Sequence, residues 1–182
     1  MDALVPAFIA ALLAGIGDRP SRLAAMLGDR GALYQVVAGL ILGHAVGIGI
    51  SVVGAIVIAP LLTPNARALM LAIALLFAGI GALWGGRRPA PPTGNAFVAA
   101  ATGSFVMGDR TAFLAFGLAI KGSAPLLAGI GALAGATLLA TVAAMVGAHA
   151  WERLPLALLS RIAGALLLVT GLVVAGGALR VI

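Results

Sequence analysis

Apolar residues run along this chain in six long segments, separated by short stretches where charge, proline and other polar residues collect. The segments cover residues 3–27, 33–59, 67–86, 96–120, 124–148 and 156–180. Each is close to the roughly 20 residues that a helix needs to cross a bilayer. Runs such as LMLAIALLFAGIGALW do not alternate as the strands of a membrane barrel would. The pattern therefore predicts an all-α membrane protein with six transmembrane helices.

Composition supports this prediction and narrows the class of protein. Of the 182 residues, 63% are hydrophobic and 9% are charged, with a mean hydropathy of +1.20. So little polar surface cannot cover a water-soluble globule. The net charge of +6 is spread over loops and helix ends, which argues against nucleic-acid binding. Cysteine is absent, and no nucleotide loop or hydrolytic triad is present, so we expect neither an enzyme nor a bound cofactor.

The two halves of the chain repeat one another. The motif Gly17-Asp18-Arg19 returns as Gly108-Asp109-Arg110 at an offset of 91, and three later glycines return at an offset of 92. We divide the chain into a first three-helix repeat at 1–88, a proline-rich linker loop at 89–95 and a second three-helix repeat at 96–182. Because three spans are an odd number, the second repeat must enter the membrane from the opposite side. The repeats are therefore predicted to be inverted, as in many secondary transporters.

Loop charges predict the orientation, and glycine spacing predicts how the helices pack. On one side lie Arg30, Arg87, Arg88, Arg153 and Arg161, and on the other lie Arg67, Lys121 and Arg180. This excess places the 85–95 loop in the cytoplasm and both termini outside the cell (inner) membrane. Small residues spaced by four mark helix contact faces in lipid. They are Gly39, Gly43 and Gly47, with Gly131 and Gly135, and they could pack helices within one chain or in a homo-oligomer.

The repeated motif places one aspartate deep in the first segment of each half. A charge at that depth costs several kcal/mol unless it is paired, hydrated or bound to a cation. Carboxylate and hydroxyl oxygens suit a hard divalent cation such as calcium or manganese. The candidate ligands are Asp18, Asp109, Ser21 and Thr111, with Ser104 or Thr102 as further oxygen donors. Gly17 and Gly108 let backbone or ligand approach each carboxylate.

Two arginines and one histidine complete the set of intramembrane polar residues. Arg19 and Arg110 could tune the charge or gate the site, or form crossed ion pairs, Asp18–Arg110 and Asp109–Arg19, that bind no ligand. Pro20 disfavours helix at the preceding residue, so we expect the first span to break at Arg19. His44 is a candidate for charge tuning, gating, ligation or proton transfer, although a lone histidine more often makes an interhelical hydrogen bond. His149 is expected to anchor the chain at the interface.

At these two motifs the chain resembles the GDT-one family of divalent-cation transporters, within the wider lysine-exporter superfamily. The resemblance also covers the repeat layout and the segment ERLPLALLSRIAGALLLVTG at 152–171. It implies two inverted three-helix repeats, each opening with E-x-G-D-[KR]-[TS], and exchange of calcium or manganese against protons. The residues that match the motif are Asp18, Arg19, Asp109, Arg110 and Thr111.

The chain departs from the motif at its glutamates. Gly15 and Val106 stand in those positions, and Pro20 displaces the first hydroxyl to Ser21. We expect a divalent-cation exporter that works by alternating access at a midplane site, with membrane lipid and the cation as partners. One alternative is a membrane scaffold or subunit that no longer transports. Another is an exporter of small organic solutes, in which the arginines bind a carboxylate substrate.

Overall fold

The computed structural model describes residues 3–30, 32–84, 89–90 and 93–179, apart from the side chain of Asp109. Within these ranges all the regular structure is helical. The helices are α1 (Leu4–Gly15), α2 (Arg19–Gly28), α3 (Leu33–Ile58), α4 (Pro64–Trp84), α5 (Ala96–Met107), α6 (Asp109–Lys121), α7 (Pro125–Arg153) and α8 (Leu156–Ala178), with a 3₁₀ turn at Ala59–Leu61. The predicted all-α class is thus confirmed.

The helices fall on the six apolar segments, four of them as single helices and two as pairs. By length and composition α3, α4, α7 and α8 are each able to cross a membrane. The bent pair of α1 and α2 makes a fifth candidate span if it is counted as one, whereas α5 is a shorter apolar helix. The described residues therefore contain four or five candidate spans, where the sequence predicts six.

Some residues used in the sequence predictions lie outside the described part of the chain. They are Asp109 as a side chain, part of the 85–95 loop, and the cationic residues Arg87, Arg88 and Arg180. The orientation predicted from loop charge therefore stays a prediction.

The first apolar segment breaks just before Arg19, between Ile16 and Asp18. α1 and α2 meet there at an angle of 73°. Gly17 has a φ of +68°, a left-handed conformation that glycine adopts without the steric cost of a Cβ atom. Pro20 lies in the first turn of α2, where a missing amide hydrogen costs nothing. The predicted break in the first span is confirmed, but it lies just before Arg19 rather than at it. Arg19 is the first residue of α2, and Pro20 helps to start that helix.

The fourth apolar segment is also divided at its motif. α5 ends at Met107 and α6 begins at Asp109, with Gly108 between them. Both Gly-Asp-Arg motifs therefore lie where one helix ends and the next begins. Helix ends leave amide or carbonyl groups without intrahelical partners, which makes such a division a natural place for polar interactions.

The two halves of the chain are intertwined. α1 packs against α7 of the second half, and α5 packs against α3 of the first. α3 also contacts α7, and α4 packs along α8. Each divided segment therefore has its main partner in the other half.

Glycines allow these contacts to be close. A Cβ atom on Gly43 of α3 would overlap the Ala101 carbonyl and the Ser104 hydroxyl of α5, and one on Gly135 of α7 would crowd the Phe8 carbonyl of α1. The prediction that these two glycines lie on packing faces is confirmed.

Large apolar side chains cover the outside of the bundle. On α8 they include Leu158, Ile162, Leu166, Val169 and Val173, all of them exposed. The interior is built mainly from alanine and glycine, with a few leucines and valines. This inside-out distribution is expected where lipid tails, rather than water, surround the bundle.

Candidate functional site

Asp18 lies at the break between α1 and α2, where it caps the N-terminus of α2. The backbone N–H of Ser21 donates to Oδ1 of Asp18 at 2.9 Å, and the Ser21 hydroxyl donates to the Asp18 carbonyl at 3.1 Å. The aspartate is only 6% exposed. A carboxylate in this position is stabilised by the unpaired amides and the dipole at the helix start. The local sequence therefore builds a buried carboxylate with one oxygen held by the cap.

The second carboxylate oxygen of Asp18 points towards the end of α1. A Cβ atom built on Gly15 would lie 3.9 Å from this Oδ2 atom. Gly15 stands at the motif's glutamate position, so a glutamate side chain there would begin beside Asp18. It would also meet Leu139 of α7, whose Cδ2 atom lies 2.7 Å from the same point. Leucine thus occupies space next to the place where the motif has a second carboxylate.

A cavity of about 10 Å³ lies beside this carboxylate. That volume is about what one water molecule or bare ion requires. Its polar lining consists of Asp18, Ser21, His44 and Thr111. These side chains come from α2, α3 and α6, so both halves of the chain contribute. The structure thus brings together three of the four predicted ligands and the predicted histidine.

His44 is buried on α3, and its ring has a defined hydrogen bond. The Nδ1 atom lies 2.9 Å from the Leu40 carbonyl of the same helix. A carbonyl oxygen can only accept, so Nδ1 must carry the hydrogen atom. The neutral ring then has its lone pair on Nε2. A lone histidine in a membrane helix more often bonds to a neighbouring helix. The Nδ1 atom of His44 instead bonds within its own helix, because Leu40 also belongs to α3.

The hydroxyl residues of the second motif behave differently from one another. Thr111 is buried in the first turn of α6 and lines the cavity. The Ser104 hydroxyl donates to the Ala100 carbonyl at 2.6 Å, and the exposed Thr102 hydroxyl donates to the Val98 carbonyl at 2.7 Å. Both of those bonds lie within α5. Thr111 is therefore the hydroxyl that the second half supplies to the cavity.

The two motif arginines have unlike surroundings. Arg19 is exposed, whereas Arg110 reaches across the bundle. Its guanidinium donates to the Ala14 carbonyl at 3.2 Å and to the Gly81 carbonyl of α4 at 3.0 Å. A cation at the C-terminal end of α1 satisfies carbonyl groups that the break leaves unpaired. Arg110 also attracts the Asp18 carboxylate electrostatically, but its hydrogen bonds go to backbone carbonyl groups.

The second aspartate cannot be compared with the first. Asp109 begins α6, but its side chain lies outside the described part of the structure, and so does any ion pair with Arg19. Gly108 is buried at the division, as Gly17 is in the first motif. Val106, at the second glutamate position, is 70% exposed and directed away from the interior. The two motifs therefore differ at their glutamate positions, since Gly15 is buried and Val106 is exposed.

The donor set around the cavity is small. Among the described residues, which leave out the Asp109 carboxylate, no group of three or more histidine, cysteine, aspartate or glutamate side chains could hold a metal ion. The loss of both motif glutamates, noted in the sequence, explains this in part. Among the described residues, the donors that the cavity offers a cation besides Asp18 are the hydroxyls of Ser21 and Thr111 and the imidazole of His44.

Asp29 is a structural residue that the sequence reasoning did not single out. Its Oδ2 atom accepts a 2.9 Å hydrogen bond from the N–H of Ala148 on α7. Gly147, just before, has a φ of +77°, which interrupts α7. The carboxylate therefore caps the restarted helix from 119 residues away in sequence. The sequence signal for this cap would be a glycine that interrupts α7 together with the acid that caps it. Gly147 and Asp29 are too far apart in sequence for that pairing to be recognised.

A second, larger cavity of about 400 Å³ lies on the far side of α2. Its charged and polar lining comprises Arg22, Asp29, His149 and Glu152. Arg22 follows Ser21, which lines the small cavity, so adjacent residues of α2 face the two spaces. His149 is exposed at this cavity.

Apolar helices able to cross a membrane, an apolar outer surface and a buried polar cavity define a multi-pass integral membrane protein. A family model described as "Divalent cation/proton antiporter GDT1" matches residues 3–90 and 96–180. The chain therefore belongs to this family, and the resemblance seen in its sequence is confirmed. The description is that of a transporter, in agreement with the expectation that the chain is not an enzyme. Neither the curated proteins nor the solved structures contain a significant match.

Proposed function

We propose that this chain is a secondary transporter that moves a divalent cation, Mn²⁺ or Ca²⁺, across the cell (inner) membrane in exchange for protons. The observation that carries the proposal is the small cavity where Asp18 and Ser21 of one half meet Thr111 of the other. Family membership supplies the substrate class, since the description names divalent cations and protons. The cation is the cargo, and no resident cofactor is proposed.

The energetics of Asp18 support a cationic guest. An ionised carboxylate at membrane depth costs several kcal/mol unless something compensates for its charge. Ser21 satisfies one oxygen, and Oδ2 remains directed towards the space beside Gly15. A dehydrated dication in the cavity would meet this oxygen and the hydroxyls of Ser21 and Thr111. We assign Asp109 to the same ion from its place in the repeated motif.

Paired contacts support the inverted-repeat arrangement that alternating access requires. At an offset of 92, Gly79 corresponds to Gly171 and Leu76 to Leu168. Gly79 of α4 faces Leu168 of α8, and Gly171 of α8 faces Leu76 of α4. A contact that exchanges its partners in this way is what a two-fold axis between the repeats produces. We infer a site between the two repeats, at 1–88 and 96–182, joined by the 89–95 loop.

We assign the larger cavity as the access route from one side. It lies at the ends of α2 and α7, next to the loops that charge bias places in the cytoplasm. Arg22 and Glu152 line it, and Arg22 attracts Asp18 electrostatically. We propose that movement of α2 relative to α7 connects this cavity with the small one, and that Arg19 and Arg110 tune or gate the exchange. The two termini would then lie outside.

The test is cation flux into liposomes that contain the purified protein. We expect uptake of Mn²⁺ or Ca²⁺ driven by a pH gradient, and its loss in Asp18→Asn. Asparagine caps a helix nearly as well as aspartate, so the fold should persist while the charge is removed. Arg67→Gln serves as a control. Arg67 lies at the start of α4, away from the cavity, and its guanidinium donates a hydrogen bond to the Leu62 carbonyl.

The same measurement separates the alternatives. A scaffold would show no flux with any solute and no difference between the parent protein and Asp18→Asn. An organic-solute exporter would carry amino acids and lose that activity in Arg110→Gln rather than in Asp18→Asn. Either result would overturn the proposal of divalent-cation transport.

A further inference from the structure

His44 is the cavity residue to which the motif gives no role. It lies on α3, whose neighbouring residues Gly43 and Leu40 are also buried. At an offset of 92 its counterpart in α7 is Ala136, which lines the same cavity. The site therefore has one imidazole and no second one related by the repeat. His44 is buried, is held by a hydrogen bond to the Leu40 carbonyl and lines the same cavity as the Asp18 carboxylate, so a chemical role in the site is expected.

The hydrogen bond of His44 resembles the one that prepares a histidine to bind a metal ion. Ligand histidines usually donate one ring N–H to a carbonyl or carboxylate, which fixes the tautomer and leaves the other nitrogen basic. Here Nδ1 donates to the Leu40 carbonyl, so Nε2 holds the free lone pair. The ring lines a cavity whose other polar groups are a carboxylate and two hydroxyls.

We propose that His44 binds the transported cation directly through Nε2, and that the resulting nitrogen–oxygen site selects first-row transition-metal dications over Ca²⁺. The inference rests on the proposed function, because it concerns the same cavity. It goes further in naming a ligand and a substrate class. In this assignment, the imidazole contributes the donor that the missing glutamate at Gly15 does not.

Coordination chemistry gives the selectivity. Ca²⁺ takes six to eight oxygen ligands in flexible geometry and has little affinity for imidazole. Transition-metal dications accept imidazole nitrogen together with carboxylate oxygen. Among the described residues, Asp18, Ser21 and Thr111 provide three oxygen-bearing side chains around a cavity of about 10 Å³. With Asp109 they make four, still fewer than the six to eight oxygens of a calcium shell. One nitrogen ligand therefore favours transition-metal dications over Ca²⁺, least strongly for Mn²⁺, which lies at the weak end of their affinity order.

Nitrogen coordination can be observed without any variant. Mn²⁺ bound to the purified protein should show hyperfine coupling to a nitrogen nucleus in pulsed electron paramagnetic resonance. The chain has two histidines, so the assignment needs only two variants. We expect the coupling to disappear in His44→Gln and to remain in His149→Gln, since His149 is exposed at the other cavity. Parent protein that binds Mn²⁺ without nitrogen coupling would overturn the inference, even if His44→Gln did not fold.

Transport selectivity provides the second measurement. In liposomes, Ca²⁺ should compete poorly with Mn²⁺ uptake by the parent protein and by the control variant Arg67→Gln. His44→Gln should weaken Mn²⁺ uptake by about tenfold or more, because even loss of groups that orient a ligand costs about 10–100-fold in metal affinity. Ca²⁺ uptake should change less, so the preference for Mn²⁺ should fall. His44→Glu should shift the preference further towards Ca²⁺ by replacing nitrogen with oxygen.

The outcomes distinguish this inference from the proposed function. An unchanged ratio of Mn²⁺ to Ca²⁺ uptake in His44→Gln would remove the role of His44 while leaving divalent-cation transport intact. Absence of flux in parent protein that still shows nitrogen coupling would remove transport and leave the metal site. Loss of both flux and binding would overturn the two together.

Discussion

At the scale of single residues, Gly15 and Leu139 decide how much negative charge the cavity contains. Gly15 stands at a motif glutamate position beside Oδ2 of Asp18, and the flexible end of Leu139 fills the adjoining space. We predict that Gly15→Glu combined with Leu139→Ala raises affinity for Mn²⁺ and Ca²⁺ by about tenfold, since affinity follows the number of charged ligands. Isothermal titration with each metal measures the change.

The single variants are the controls for this prediction. Leu139→Ala alone should leave metal affinity near that of the parent protein, because it adds no ligand. Gly15→Glu alone must displace the flexible end of Leu139, whose Cδ2 atom would lie 2.7 Å from the new Cβ atom, so it should gain less affinity than the double variant. A double variant with no higher affinity than Leu139→Ala would contradict the view that this position adjoins the ion.

Some residues of the cavity can be predicted from the sequence, and others cannot. Asp18, Ser21 and Thr111 follow from a repeated motif in apolar surroundings, and all three line one cavity. His44 could be named only as a candidate for several different roles, because the choice among them depends on where α3 lies relative to α2. Asp29 could not be nominated, since its partner Ala148 is distant in sequence and adjacent only after folding.

At the scale of elements, Gly43 sets the distance between α3 and α5. In Gly43→Ala the new methyl group would overlap the Ala101 carbonyl and the Ser104 hydroxyl, so the helices must separate. We predict a loss of about 1–3 kcal/mol in the free energy of unfolding, the usual cost of overpacking. Metal affinity should fall as well, because His44 is the next residue. Thermal unfolding in detergent and metal titration test both effects.

Gly49→Ala is the matched control in the same helix. A Cβ atom there would have no neighbour within 4 Å. Alanine also favours helix over glycine by about 0.8–1 kcal/mol, so this variant should be unchanged or slightly stabilised. Equal destabilisation by both substitutions would show that packing against α5 is not the cause.

The capping of α7 by Asp29 makes another prediction at this scale. Asp29→Ala removes the acceptor for the Ala148 N–H and should destabilise the protein by about 1 kcal/mol, a typical cost of losing a helix cap. Asp29→Asn should keep most of the stability, because asparagine caps comparably. Hydrogen exchange at Ala148 should accelerate in Asp29→Ala and stay slow in Asp29→Asn. Equal exchange rates in the two variants would mean that the Asp29 side chain does not cap the part of α7 that begins after Gly147.

Helix positions were more predictable than helix breaks. Apolar run length placed the six segments, since a bilayer demands a minimum length of apolar helix. The break in the first segment was predicted at Arg19 but lies just before it, because a proline can end one helix or begin the next. Asp18 caps the N-terminus of α2, so here Pro20 begins a helix. The division at Gly108 has no proline to indicate it.

At the scale of the whole molecule, the exchanged contacts between the halves imply an orientation that can be measured. With inverted repeats, the loop between α4 and α5 must lie opposite the loop between α3 and α4 and the loop between α6 and α7. The chain has no cysteine, so single cysteines report their own accessibility. Thr63, Thr93 and Ser123 are exposed and lie one in each of these loops.

We predict that a membrane-impermeant maleimide labels Thr63→Cys and Ser123→Cys in intact cells of a bacterial host, and labels Thr93→Cys only after the membrane is opened. Labelling of Thr63→Cys and Ser123→Cys from the same side requires an even number of crossings between them, which α4 plus the pair of α5 and α6 provide. Labelling of Thr93→Cys from that side too would mean that neither α4 nor the pair of α5 and α6 crosses. The two halves would then share one orientation, and a site that alternates between the two faces of the membrane would lose its structural basis.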